Sequence, residues 1–434
     1  MYKNVTTEWA ETLPVGWKAV PLKRLLENGS MKVGPFGSQL SGNDFKDEGY
    51  WVYNQRVIVD ENFSDNTAFI DASKYNSMRA FHVHAGDILV TTRGTIGRIC
   101  QVPMNYHEGI IHPCVIKFRL SEKEIPFSIL KHIFNESNIV KDQLLFLSNA
   151  TTIDVIYSGT LKDIKIPVPP RNAQKKISAF LDSKCSEIDA ISADIQKETE
   201  TLEQYKCSVI TEAVTKGLNP DAEMKESGIE WVGNIPAHWD VHPLYYYFSE
   251  RKKKNYLGQE QNLLSLSYGK VIRKDINTSE GLLPDSFNGY NIIEPGDIVL
   301  RLTDLQNDKR SLRTGLVMEH GIITSAYVTL KAAKEVVPEY FHYLLHAYDV
   351  MKVLYNMGNG VRQGLNYSEL SKMHIVAPPI DEQKNIAAYL DSKCKEIESI
   401  IESKKQQLTV IDSYKKSLIY EYVTGKKEVP TYES

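Results

Sequence analysis

Residues 180–191 read FLDSKCSEIDAI, and residues 389–400 read YLDSKCKEIESI. Eight of the twelve positions coincide, 209 residues apart. The correspondence runs on without a gap. Upstream, Pro169-Pro170 falls on Pro378-Pro379 and Gln174-Lys175 on Gln383-Lys384. Downstream, Tyr205 falls on Tyr414, Ser208 on Ser417 and Val214-Thr215 on Val423-Thr424. A second set of matches opens each half: Trp9, Pro14, Trp17, Pro21 and Leu22 against Trp231, Pro236, Trp239, Pro243 and Leu244. Between these anchors the halves diverge, although GDILV (86–90) resembles GDIVL (296–300) and EGII (108–111) resembles HGII (320–323). Such a duplication restricts the chain to two copies of one architecture, each a variable unit followed by a nearly invariant segment.

The invariant segment has the periodicity of a long helix. Apolar or long side chains recur at Ile177, Leu181, Lys184, Ile188, Ile191, Ile195, Glu198, Leu202, Tyr205 and Val209. The second copy supplies Ile386, Leu390, Lys393, Ile397, Ile400, Lys404, Gln407, Ile411, Tyr414 and Leu418. A stripe held over four heptads predicts a coiled-coil seam. The Pro-Pro pairs mark the helix starts, and Gly217 and Gly425 mark their ends. Each helix is then about 45 residues, roughly 65 Å long. The linker 219–230 spans only ~40 Å when extended, which favours two antiparallel helices and keeps the equivalent Cys185 and Cys394 apart. A second apolar flank, Phe180, Ile210, Tyr389, Ile401 and Leu408, is the expected docking surface for a protein partner. The predicted organisation is a first globular domain over 1–171, a helix over 172–217, a linker and second globular domain over 218–379, a helix over 380–425 and a tail over 426–434. Strand-like runs such as WVYNQRVIV and GDILVTT, with a predicted helix at 126–147 or 338–356, make each globular domain mixed α/β.

Composition excludes several classes. No run approaches the ~18 apolar residues of a membrane helix, and the first residues lack a signal-peptide core, so a cytoplasmic protein is expected. Five cysteines without a CxxC argue against a disulfide framework or a zinc ribbon. His82, His84, His112 and Cys114 could be metal ligands, but histidines on a half-buried strand are the preferred reading. The net charge of −4 does not itself point to nucleic acid. Basic residues nevertheless cluster, in RKKK (251–254), KVIRK (270–274) and the stretch 301–313.

Three loop families carry side chains suited to reading DNA. The first is KVGPFGSQL (32–40), with Lys32, Ser38 and Gln39; Arg56 follows in the next strand-like run. The second is TTRGTIGR (91–98), with Thr92, Arg93, Thr95 and Arg98, set against RLTDLQNDKRSLR, with Arg301, Thr303, Gln306, Lys309, Arg310 and Arg313. The third is SNATTID (148–154), with Thr151 and Thr152, set against GNGVRQGLN (358–366), with Arg362, Gln363 and Asn366. Tyr268, Lys270 and Arg273 complete the candidates. Arginine can grip guanine and asparagine or glutamine can grip adenine, while threonine and serine adapt. Lysines and backbone amides hold phosphates. The bland alternative for each is a polar surface loop. No nucleophile elbow, HExxH motif or nuclease-like carboxylate cluster is present, so no catalytic residue is assigned.

Taken together, MKESGIEWVGNIPAHW (224–239), the helix starts PVPPRNAQKKISAFLDSK and VAPPIDEQKNIAAYLDSK, and GVRQGLNYSEL (360–370) resemble the specificity (S) subunit of Type I restriction–modification systems, over nearly the whole chain. The resemblance implies two target recognition domains, each reading one half of a split DNA site. It implies that the helices set the spacing and dock two modification (methyltransferase) subunits for adenine methylation. Restriction subunits, translocases with a nuclease, would complete the assembly. It implies no cofactor in this chain, with S-adenosylmethionine in the methyltransferase and ATP and Mg in the restriction subunit. NATTIDVIYSGTL departs from the RQGLNY of the second half, so the DNA-contact role carries over to it only weakly. The competing class is a coiled-coil scaffold with two protein-binding heads and no DNA role; binding to duplex DNA discriminates the two.

Overall fold

In the computed structural model, residues 5–36, 38–121, 124–148, 155–276, 286–303, 305, 312–357 and 364–430 are described. Two helices far exceed the usual length: Arg171–Lys216 and Ile380–Val423. Each starts beside its Pro-Pro pair, where the repeated glutamine folds back on the chain. The Gln174 amide donates to the Pro169 carbonyl at 3.0 Å, and the Gln383 amide to the Pro378 carbonyl at 2.9 Å. Each ends at a glycine of positive φ, Gly217 at +75° and Gly425 at +70°. A side chain at these glycines would strike a repeated tryptophan, Trp239 at 3.2 Å and Trp17 at 2.6 Å. Only glycine satisfies both the left-handed turn and that close approach.

The chain forms two compact units, one of Met1–Ile195 with Gln406–Ser434 and one of Gln196–Lys405. Both divisions fall inside the long helices, not at the helix ends where the sequence places domain limits. Packing explains the difference. Ile177, Leu181, Cys185 and Ile188 of the first helix, with Leu418, Ile419, Tyr422 and Val423 of the second, belong to the core of unit 1. Ile210, Ala213 and Val214, with Ile386, Ala387, Leu390 and Cys394, belong to that of unit 2.

Within unit 1 an antiparallel sheet orders strands Lys32–Val33, Val115–Phe118, Ile88–Thr91 and Ile99–Gln101. Within unit 2 the equivalent sheet orders Phe248–Glu250, Val328–Ala332, Ile298–Leu300 and Thr314–Leu316. The GDI turns before the central strands are built alike. Buried Asp87 accepts from the His84 amide and pairs with Lys117 and Arg119. Buried Asp297 accepts from the Glu294 amide and pairs with Arg251. The opening and closing strands of each half also pair, Lys18–Pro21 with Lys165–Val168 and Asp240–Pro243 with His374–Ala377.

The 4-3 stripe needs correction along the helices. Ile191, Tyr205, Ile400 and Tyr414 are exposed, and burial falls instead on Cys185, Ile210, Cys394 and Ile401. A straight helix drifts ~20° per heptad from a strict 3.5 repeat, so a stripe in heptad register leaves the packed face within a few turns. Among the described residues no helix is long and apolar enough to cross a membrane.

Candidate nucleic-acid interface

The polar loops 91–98 and 301–313 leave equivalent strands through the same joint. In unit 1 the Thr91 amide donates to the Arg98 carbonyl at 3.0 Å, and Ile156 returns to donate to the Thr92 carbonyl at 2.9 Å. In unit 2 the Arg301 amide donates to the Arg313 carbonyl at 2.8 Å, and Leu365 donates to the Leu302 carbonyl at 2.9 Å. The described ends of the second and third loop families thus meet at an equivalent joint in each unit.

In unit 1 the loop closes through the Thr91 hydroxyl, which donates to the Thr95 carbonyl and accepts from the Arg98 amide at 3.0 Å. Helix Gln55–Asp60 braces the apex. The Gln55 side-chain amide donates to the Arg93 carbonyl at 2.8 Å and accepts from the Thr95 amide at 2.7 Å. Gln55 was not among the sequence candidates; no local signal sets it apart from its neighbours. Arg93 and Thr95 are left exposed, while Arg98 turns back to donate to the Asn135 carbonyl at 2.9 Å. Lys32, Ser38 and Gln39 are exposed, with the Gln39 oxygen accepting from the Phe36 amide at 3.1 Å. Arg56 is exposed beside Asp60 and Asp65, at 3.6 and 4.0 Å.

Two loop candidates are not at the surface. Thr92 is buried, its backbone bonded on both sides by Cys114 and Ile156. Arg313 is wholly buried. Its guanidinium donates to the carbonyls of Arg301 at 3.2 Å and Thr303 at 2.8 Å and to the Tyr355 hydroxyl at 3.2 Å. Its own amide donates to buried Asp349 at 2.7 Å. A base cannot reach a guanidinium spent in this way, so Arg313 shapes the loop from within. Arg301 is half-buried and Thr303 exposed. Asn366 is exposed but caps helix Tyr367–Leu370, accepting from the Glu369 amide at 3.1 Å. Tyr268, Lys270 and Arg273 lie exposed on a hairpin of unit 2. Thr151, Thr152, Gln306, Lys309, Arg310, Arg362 and Gln363 lie outside the described residues.

The expected partner flank is also revised. Ile210 and Ile401 are buried, and Phe180 packs on Tyr422 with ring centroids 4.5 Å apart, leaving Tyr389 exposed and Leu408 half-buried. Contacts between the long helices run in opposite chain directions inside each unit. In unit 1 Phe180 meets Tyr422 and Asp189 meets Lys415 at 2.7 Å. In unit 2 Glu198 meets Lys404 at 2.6 Å and Lys206 meets Glu398 at 2.5 Å. Lys415–Asp189 and Lys206–Glu398 are the same ion pair in the two repeats.

Among the described residues, the grouping whose ligand atoms could share a metal is His132, Glu136 and Cys185, within 4.8 Å of one another. Two of the sequence candidates are otherwise engaged: His82 stacks on Tyr75 and bonds its carbonyl, and His112 accepts from the Cys114 amide. The His132 ring is itself bound at both nitrogens, to Glu136 at 3.0 Å and Asp182 at 2.9 Å, and Lys415 reaches Glu136 at 3.3 Å. Burial would lower the His132 pKa, but hydrogen bonds to Cys185 and Glu136 and the Glu136 charge outweigh it and raise it to about 10. Burial would raise that of Glu136, but His132 and Lys415 hold it down at about 2. An imidazolium and an ammonium on the same carboxylate fit an ion-pair network better than a cation site.

A family model described as the Type I restriction modification DNA specificity domain matches residues 14–201 and 287–410. The chain is 25% identical to the MjaX specificity subunit of Methanocaldococcus jannaschii, a type I restriction enzyme subunit by name, covering 96% of this chain and 95% of that one. It is 19% identical to the type I restriction enzyme EcoKI specificity subunit of Escherichia coli K12, covering 96% and 90%. A solved chain, described in connection with complex assembly and conformational transition of the type I R-M system, superposes with a TM-score of 0.69 at 15% identity, covering 96% of this chain and 99% of that one.

Proposed function

The chain belongs to the Type I restriction modification DNA specificity family, and from that premise we propose that each of its two units reads one half of a two-part DNA site for a partner that methylates adenine. The observation that carries the proposal is the repeated joint. Equivalent strands, closed by equivalent hydrogen bonds from Ile156 to Thr92 and from Leu365 to Leu302, lead into loops of different sequence. A shared frame with unlike readers suits a non-palindromic site, whereas identical readers would demand a palindrome. On this reading Arg93, Thr95 and Lys32 contact DNA for unit 1, and Arg301, Thr303 and the loop residues around them for unit 2, through base edges and phosphates.

The long helices, paired as an antiparallel coiled coil, set the number of unread base pairs, each of which shifts a half-site by ~3.4 Å and about a tenth of a turn. Their outer faces, Tyr389 and Leu408 among them, dock two methyltransferase subunits. Those partners bring S-adenosylmethionine and extrude the target adenine. Restriction subunits, using ATP and Mg, join the same assembly. This chain is non-catalytic and acts in the cytoplasm. Its acidic balance is compatible with partners that share the phosphate contacts. Methylation mapping in cells carrying the chain with its methyltransferase tests the proposal. A two-part asymmetric adenine motif that vanishes when the chain is deleted is expected; unchanged methylation after deletion overturns it.

A further inference from the structure

Among the described residues, unit 2 carries a different element from unit 1 at one equivalent place. In unit 1 the strand Tyr50–Tyr53 runs parallel to Gly109–Ile111 and is followed by helix Gln55–Asp60. In unit 2 the equivalent partner of Gly321–Ile323 is the segment at Leu263, which bridges Ile322 in parallel. It continues not into a helix but into a hairpin, Leu264–Ser267 with Lys270–Arg273. The inward face of that hairpin packs on the sheet, because Gly315 has no side chain. A Cβ there would lie 2.5 Å from Leu266 and 3.0 Å from Val271.

The register pairs Ser267 with Lys270 and leaves Tyr268-Gly269 as a two-residue turn. Both residues have positive φ, +47° and +78°. That is the pattern of a type I′ turn, where Asn-Gly is the favoured pair. A bulky aromatic is disfavoured at positive φ, yet Tyr268 occupies it and is 89% exposed. The fold gains nothing from the ring. The tip sits at the candidate interface, since a Cβ on Gly269 would come within 3.1 Å of Leu312 in the loop 301–313. The flanking cations are already engaged, Arg273 with Glu319 and Lys270 with Glu398 at 3.5 Å. What the turn itself offers a ligand is therefore an aromatic face, beside two solvent-exposed cations held in surface pairs.

We propose that Tyr268 packs its ring against a base of the half-site read by unit 2, as an apolar wedge and not a hydrogen-bonding reader. The inference rests on the DNA-reading function proposed above. Aromatic rings serve nucleic-acid proteins in this way because every base presents a π-face and partly unstacked steps accept an apolar insert. Strain is tolerated at a site where a ligand is met.

The test compares the full chain with its Tyr268→Ala, Tyr268→Phe and Tyr268→Asn variants, each with the methyltransferase partner. Methylation mapping defines the motif, and a duplex carrying that motif then serves for binding. Tyr268→Phe retains binding. Tyr268→Ala and Tyr268→Asn weaken it roughly 5- to 100-fold, and the motif half read by unit 1 is unchanged. Tyr268→Asn, at home at positive φ, melts no lower than wild type, so its loss of binding is not misfolding. Wild-type binding by Tyr268→Ala, or an equal loss by Tyr268→Phe, overturns the inference. A wild-type chain that directs no two-part motif refutes the parent reading instead.

Discussion

The Arg313 guanidinium holds two loop carbonyls and a tyrosine hydroxyl in a space closed to solvent, and its backbone amide donates to Asp349. Removing it takes the buried donor from two carbonyls and leaves a cavity, while the backbone amide keeps its bond to Asp349. Arg313→Ala should therefore destabilise unit 2 by about 2–5 kcal/mol, measured by urea denaturation. Arg93, exposed at its own apex, should tolerate alanine with a change within about 0.5 kcal/mol. In sequence the two arginines look alike, each beside threonine and glycine; burial separates them, and burial belongs to the whole unit. His132 acts by charge. Its pKa is raised to about 10, so its stabilisation is complete below the unfolded value near 6.5 and is lost as pH climbs towards 10. Glu136, held at about 2, contributes fully above about 4.5 and loses its contribution as pH falls towards 2. His132→Gln should flatten the loss of melting temperature between pH 6.5 and 10 relative to wild type.

At the scale of elements, the long helices were legible because a duplicated phrase with proline before it and glycine after it has few other solutions. Their seam was less so. The heptad pattern names Ile191 and Tyr205, which face solvent, while Cys185 and Ile210 are buried. Membership of the two separate cores chooses the packed residues. Leu181 and Leu390, equivalent in the repeat, are both fully buried, in different units. Leu181→Ala and Leu390→Ala should each cost about 2–5 kcal/mol. Amide hydrogen exchange should place the first loss in unit 1 and the second in unit 2. A comparable loss of protection in both units from either variant would show that the cores are not independent. Helix Gln55–Asp60 and the hairpin 264–273 occupy equivalent places after the same strand, so divergence between the halves reaches elements as well as loop residues.

For the whole molecule, duplication with divergence predicts separable halves of function. Replacing Arg93 and Thr95 together by alanine should alter or weaken one half of the methylated motif and leave the other half and the spacer as they were, read by methylation mapping. Simultaneous change in both halves would contradict one unit per half-site. The sequence by itself determined the twofold repeat, the two long helices with their proline starts and glycine ends, the mixed α/β units and the family. These rest on periodicity and on glycine and proline stereochemistry, which act over a few neighbouring residues. Only the tertiary structure decided that the helix ends complete the cores, that Arg313 and Thr92 are internal while Arg93 and Tyr268 are exposed, and that His132 is ion-paired. Those outcomes depend on which surfaces exclude water from one another, and residues distant in sequence supply the surfaces.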